Sequence, residues 1–462
     1  MMSTAAAAAE WWRRDRAPAA SHSTRDSENA VARSGQAAVA SRVAAAAPAG
    51  SAAAFGALVA FTIILLISPQ AWFPAIKSLR IALVSGSLAI LAHLAGRAFG
   101  RTRGLPVRPE MVIALVLILW AGLTIPWSIW PGGSWSQLTD HLLKAVVFFW
   151  LIGTLVTTRA RLELYAWVLA ICSLPLALTA IDNYRSGVFV THASSAVQRI
   201  AGYVGGSGLA GNPNDLALML NLLLPITGAL CVITRRPGLR AIAVSALVLS
   251  VVAVVATFSR AGFVTMAVIA VLALAAMARR GAAGAALLIV VLSVSGFLLL
   301  PGEYFSRLST ITNIEADPTG SAQGRWNDYF LSLEYIGEHP VTGAGLGQDL
   351  LALNQTRGHE TWRSVHNAFL QAAVDLGLPG LALLLALLVA SLANTVRVRR
   401  RAGRSPGAHA LGILAQGVQI SLVAFVVAAF FHPIAYQFYF FCLAGLAVAL
   451  ANADRAEAAA TP

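Results

Sequence analysis

Residues 377–401 read GLPGLALLLALLVASLANTVRVRRR. From Leu378 to Val396 the stretch carries no charge; at Arg397 it turns abruptly cationic, and Arg399, Arg400, Arg401 and Arg404 follow. A helix of that length rises close to the ~30 Å of a bilayer's hydrocarbon core. Arginines just past its end mark the cytoplasmic side. Eleven further apolar runs share this character, at 52–68, 79–96, 111–127, 142–157, 163–181, 214–234, 240–258, 261–278, 282–300, 408–431 and 435–452. In lipid such runs must be helices, because no other open segment satisfies its own backbone. Only 11% of the 462 residues are charged and 58% are hydrophobic, whereas a soluble domain carries roughly 25% charged residues; mean hydropathy is +0.72. The fold class is therefore an all-α polytopic membrane protein of about 12 transmembrane helices. A soluble enzyme, a disordered scaffold and a disulfide-stapled domain are excluded.

Alternating the runs from a cytoplasmic start puts 23 of the 33 basic residues inside with eight acidic ones, a net +15. The outer side holds 10 basic and 12 acidic residues, a net −2. The formal charge of +13 is thus a topology signal and implies no nucleic-acid partner. Residues 1–50, rich in Ala and Ser with six Arg and four acids, read as a disordered cytoplasmic tail. Helices 1–9 follow in 51–300, then a long outer loop at 301–377 containing short helices, helices 10–12 in 378–452, and a cytoplasmic tail at 453–462. The second long outer loop spans about 182–213. Chemistry is expected on the outer face, where the chain spends its extra polypeptide. Cys172, Cys231 and Cys442 lie inside apolar runs and read as small buried hydrophobes.

Three arginines violate the inside rule informatively. Arg260, in ATFSRAGFV, sits at a hinge between two runs, where a guanidinium needs a partner, a water-filled cavity, or a route to the headgroups by snorkelling. Arg199 opens RIAGYVGGSGLAGNPND, a Gly-rich stretch leading into a spanning helix that Asn212 or Asn214 can cap; an anion beside such a helix start is physically sensible, and a plain turn with a cap is the bland alternative. Arg325 begins an amphipathic pattern with Trp326, Tyr329, Phe330, Leu333 and Ile336 on one face, predicting a helix along the outer interface. The three alternating glycines of EHPVTGAGLG, Gly343, Gly345 and Gly347, follow no strand and are not a dinucleotide loop. His366, in SVHNAFLQAAVDLGLPG, falls at a helix start whose dipole favours neutral imidazole. Beyond it Asn367, Gln371 and Asp375 form a polar stripe.

Together GNPND, SRAG, GRW…EHPVTGAGLG and HNAFLQAAVDLGLPG resemble, in order, the O-antigen ligase family, which includes related O-antigen and exopolysaccharide polymerases. The resemblance covers about residues 195–395; the first five runs match in hydropathy alone. It implies a GT-C-like membrane glycosyltransferase that passes a glycan from undecaprenyl diphosphate to an acceptor hydroxyl on the periplasmic side. The acceptor would be another glycan or the lipid A–core of lipopolysaccharide. The family's essential groups map onto Arg260, Arg325 and His366, with Arg199 a looser match. On this reading Arg199, Arg260 and Arg325 hold the diphosphate, His366 takes the acceptor proton, and Asn212, Asn214 and Asn367 support them. No metal or other cofactor is expected, since no Asp-x-Asp pair occurs and arginines supply the charge. A flippase or transporter of lipid-linked glycan is the alternative class. It would favour internal repeats and mid-span charges; only His93 and Lys144 come near the latter.

Overall fold

The structure is a computed structural model that describes residues 51–99, 107–189, 199, 200, 202, 211–282, 284, 287, 321–357, 362–404 and 406–460. Among these there is no strand. Ten helices are long and apolar enough to cross a membrane, and an eleventh, α1 (Ala52–Ile67), is apolar but shorter. In chain order the others are α2 (Ile81–Ala98), α3 (Pro109–Leu123), α4 (Leu143–Leu155), α5 (Arg159–Arg185), α6 (Pro213–Ile233), α7 (Pro237–Ala256) and α8 (Arg260–Ala278). Beyond them come α9 (Ser321–Glu338), α10 (Asp349–Arg357), α11 (Ala368–Ala402), α12 (His409–Ala429) and α13 (Phe438–Ala460). The all-α polytopic class is thus borne out. Most of the expected span at 282–300 (all but residues 282, 284 and 287), the tail at 1–50 and the loop residues 301–320 lie outside the described residues.

Several helices outrun the apolar runs that announce them. A short helix, Pro131–Gln137, continues into α4 through a π turn at Leu138–Leu142, so the span begins well before the expected residue 142. At the other end of the chain α13 runs to Ala460, because its last polar turn is packed: Arg108 donates from Nε and Nη2 to the Asn452 side chain at 3.0 and 2.8 Å and from Nη2 to the Ala451 carbonyl at 2.8 Å. Nearby, Asn394 donates to Glu110 at 2.7 Å, Arg401 pairs with Asp454 at 3.3 Å, and the Arg161 guanidinium lies 4.9 Å from the Phe55 ring centre. These contacts gather the starts of α1, α3 and α5 with the ends of α11 and α13. The bundle therefore has one arginine-rich end, as the alternation requires.

The innermost spans are α6 and α13, with 72% and 89% of their apolar windows buried. α6 packs against α5, α7, α8 and α12. Of the two ionisable residues near mid-run, His93 is buried and meets Trp150 edge-on at 4.9 Å, and Lys144 pairs with Asp140 at 2.9 Å on an exposed face. Cys172 and Cys442 are buried and all three cysteines are free.

α11 is kinked, and the kink organises everything above it. Gly377 takes φ 68°, ψ −175° within the helix and Pro379 follows, removing a helical N–H and disfavouring the helical form just before it. The carbonyls of Val374, Asp375 and Leu376 lose their helical partners. Each finds another: Ala344 N–H donates to Val374 at 2.7 Å, Gly345 N–H to Asp375 at 2.8 Å, and Trp120 Nε1 to Leu376 at 2.9 Å. Buried backbone acceptors must be satisfied somewhere, and here the GAGLG loop satisfies two of the three. Gly343 (φ 64°) and Gly377 are required by this approach, since a Cβ on them would lie 2.5 Å from the Val374 carbonyl oxygen and 2.1 Å from that of Val341. The two glycine-rich motifs are halves of one joint.

Candidate active site

At the end of the bundle away from the arginine clusters, two helix starts meet. Asn212 caps α6, its side-chain oxygen accepting from the N–H groups of Asn214 and Asp215, both at 2.9 Å, with Pro213 in the first turn, where a missing N–H costs nothing. Ser259 caps α8 by accepting from Gly262 N–H at 3.2 Å. Gly262 is small because α6 crosses there: a Cβ on it would come 2.6 Å from the Ala217 Cβ, and Asn221 donates to its carbonyl at 2.9 Å. In SRAG, then, Ser caps, Gly permits close packing, and Arg260 stands at the first helical position. Phe258 before them adopts φ 52°, a strained value for a side chain of that size.

Asn214 links these two helix starts to the Gly-rich stretch. Its Oδ1 accepts from Arg199 Nη2 at 2.7 Å and from the Ser259 hydroxyl at 2.8 Å. Arg199 Nε also donates to the Thr257 carbonyl at 3.3 Å. Of the two asparagines that could cap α6, Asn212 does so and Asn214 orients an arginine.

Arg325 lies in α9, whose Trp326, Tyr329, Phe330 and Leu333 are exposed while Asp328 and Ser332 are buried. The apolar face of the predicted amphipathic helix thus faces outward. Its inner face is held by charge. Arg363 grips Asp328 with two hydrogen bonds of 2.6 and 2.9 Å, and Arg357 pairs with the same carboxylate at 2.6 Å. A carboxylate so buried is tolerable because it is paired. Arg325 stands about one turn from Asp328 on the same helix.

His366 is partly buried, with Nδ1 3.0 Å from the Ser364 carbonyl oxygen. Donation to that carbonyl puts the proton on Nδ1 and leaves Nε2 as the acceptor. Burial, followed by the charge of Arg325, lowers its pKa to about 4, with Asp328 opposing weakly. The helix start is therefore not the main reason for the neutral ring. Asn367 caps α11 by accepting from Phe369 and Leu370 N–H at 2.9 and 3.2 Å, so it fixes the turn in which His366 sits. The polar stripe beyond it is a fastening: Gln371 accepts from Ala435 N–H at 3.1 Å, and Asp375 from Asp349 N–H at 2.7 Å.

One residue escapes a reading confined to these motifs. His432, in FFHPIAY between α12 and α13, is 5% exposed, with Nδ1 2.9 Å from the Ala428 carbonyl. Burial lowers its pKa first; the charges of Arg325 and Arg199 lower it further, while the backbone of Ala428 and Asn214 opposes. It also acts electrostatically on His366. His432 thus feels the charges of both Arg199 and Arg325. Arg260 follows Ser259 at the first position of α8. The available signal was a lone histidine at a helix junction on the outer side, next to a proline. Among the described residues there is no group of three or more His, Cys, Asp or Glu placed to hold a metal ion.

Fold and site define a multi-pass membrane protein with cationic groups and neutral imidazoles collected at one end of its helices. Over residues 245–385, somewhat under a third of its length, the chain matches the family model described as O-antigen ligase, and that match supports the resemblance to the O-antigen ligase family. Residues 38–205 match a second model, a family of unknown function (DUF5935). No curated protein matches the chain. Arg260, Arg325 and His366 fall inside the O-antigen ligase match, Arg199 inside the other, and Asn212, Asn214 and His432 in neither.

Proposed function

We propose that the protein transfers a glycan from an undecaprenyl-diphosphate-linked donor to an acceptor hydroxyl on the periplasmic side of the inner membrane, in O-antigen or exopolysaccharide assembly. Both termini are cytoplasmic in this reading, and the site opens on the opposite face. Arg260 and Arg325, with Arg199, bind the diphosphate. Guanidinium groups suit this because they stay charged and hold phosphate oxygens in pairs. The acceptor oxygen attacks the anomeric carbon and the carbon–oxygen bond to the diphosphate breaks, with the arginines taking up the charge that develops on the leaving group. The acceptor proton passes to His366 Nε2. A single displacement inverts the anomeric centre, and the arginines supply the charge that a metal ion would otherwise bring.

The observation that carries this reading is the neutral imidazole of His366 beside Arg325, with Nδ1 tied to Ser364 and Nε2 left to accept. In the resting site His366 is a weak base. A bound diphosphate offsets the Arg325 charge and raises its basicity when the acceptor arrives. The test is reconstitution of purified protein in liposomes with a lipid-linked glycan and an acceptor. Transfer supports an enzyme; movement of the glycan across the bilayer without transfer overturns the reading. Deleting the gene then separates acceptors. Loss of attached glycan with persistence of lipid-linked polymer marks a ligase, and a single-repeat product marks a polymerase.

A further inference from the structure

A second cationic site lies at the arginine-rich end. Where α8 and α11 end and α12 begins there is a cavity of about 240 Å³, lined by Arg279, Arg280, Arg399, His409 and Gln416, with Ala276 and Ile413 among its apolar walls. No carboxylate is among the described residues lining it. Two of its guanidinium groups are held by neutral amides: Arg280 donates to the Gln416 side chain, and Arg399 to Gln419 at 2.7 Å. An amide oxygen positions a guanidinium without neutralising it. The neighbouring arginines differ, for Arg401 is paired with Asp454 and Arg159 with Glu163. Arg280 and Arg399 both line the hollow, and partial desolvation, followed by the charge of Arg399, lowers the pKa of Arg280.

The helix ends contribute smaller terms. α12 starts with no side-chain cap, so its first N–H groups add positive potential. The C-termini of α8 and α11 bring negative dipole ends, each equivalent to about half a charge. Three full guanidinium charges outweigh them. Arg260 opens α8 and Arg279 and Arg280 follow its end, so the cavity lies roughly 28 Å from the candidate active site along a helix of 19 residues.

We propose that this cavity binds the phosphate group of an anionic phospholipid, whose acyl chains run along the apolar walls. Phosphate matches paired guanidinium groups, and basic hollows between spans at the cytoplasmic surface suit anionic headgroups. The lipid is preferred to a free phosphate ion because the cavity sits at the ends of membrane-spanning helices and is part apolar.

The purified full-length protein in neutral detergent is titrated with phosphatidylglycerol or phosphatidylcholine, and bound lipid is counted by native mass spectrometry. Saturable binding of phosphatidylglycerol is expected, weakened at least ten-fold in R280Q/R399Q, with phosphatidylcholine not retained. R400Q/R404Q removes the same charge outside the cavity and leaves binding unchanged; equal weakening by both pairs overturns the proposal by revealing only a diffuse field. Q416E places an internal anion beside Arg280 and also weakens binding ten-fold without removing any arginine. It decides the matter if the double variant does not fold, and unchanged binding in Q416E overturns the site. Displacement of the lipid by inorganic phosphate at equal concentration overturns the lipid as occupant.

Discussion

Asn214 accepts a hydrogen bond from Arg199 at 2.7 Å, and the same oxygen takes the Ser259 hydroxyl at 2.8 Å. One amide thus sets the distance between an arginine of the Gly-rich stretch and the residue preceding Arg260. Replacing Asn214 with Ala should cost about 1–2 kcal/mol of stability, the usual scale for such a loss, and weaken donor binding. Replacing it with Asp preserves the acceptor but neutralises Arg199. That variant should fold normally and still lose donor affinity, as measured by lipid-linked glycan binding.

Arg260→Ala and Arg325→Ala should each leave only residual transfer while folded protein stays in the membrane. Loss of one group that stabilises developing charge costs on the order of 100- to 1000-fold in kcat. Arg325→Lys keeps the charge and loses the paired geometry, so it should fall between wild type and Ala. Normal turnover by Arg260→Ala in the liposome assay would remove Arg260 from the mechanism.

The pH profile tests His366. With its pKa at about 4 in the free protein, the acid limb of kcat/KM should lie near pH 4 and not near 6.5. The limb of kcat should lie higher, because the bound diphosphate offsets Arg325. Arg325→Ala should move the kcat/KM limb upward through residual activity, and His366→Gln should remove it while donor binding survives. Folding stability has the matching sign. The unfolded chain binds more protons between about pH 4 and 6.5, so the His366 contribution is complete above 6.5 and is lost as pH falls through that window.

Asp328 should be more important to the fold of the outer segment than any single arginine around it. Its removal by Asp328→Ala leaves Arg357 and Arg363 without their carboxylate. Breaking a buried pair from one side costs about 3–5 kcal/mol. Limited proteolysis should then cut α9 or α10 while α6 stays protected.

Gly377→Ala should behave similarly at the joint. Its Cβ would press on the Val341 carbonyl from 2.1 Å in a left-handed backbone, and strain of this kind costs about 1–3 kcal/mol before any clash is counted. Thermal unfolding of the purified variant measures the loss.

Hydrophobic run length and arginine placement sufficed for the helical membrane class and for gathering the basic loops at one end, because both follow from each residue's own transfer free energy. Helix starts were legible for the same local reason, at Asn212, Ser259 and Asn367. Tertiary structure decided how polar groups were shared. Arg357 and Arg363 are as basic as Arg325, yet a buried carboxylate claims them both. Asn214 looked like a cap and holds an arginine instead. His432 gains its position only when the α12–α13 junction folds over Gln371. The alternating glycines of 343–347 found their purpose in carbonyls freed by a proline more than thirty residues away. Such pairings depend on distances between segments remote in sequence, and spacing along a chain carries no record of them.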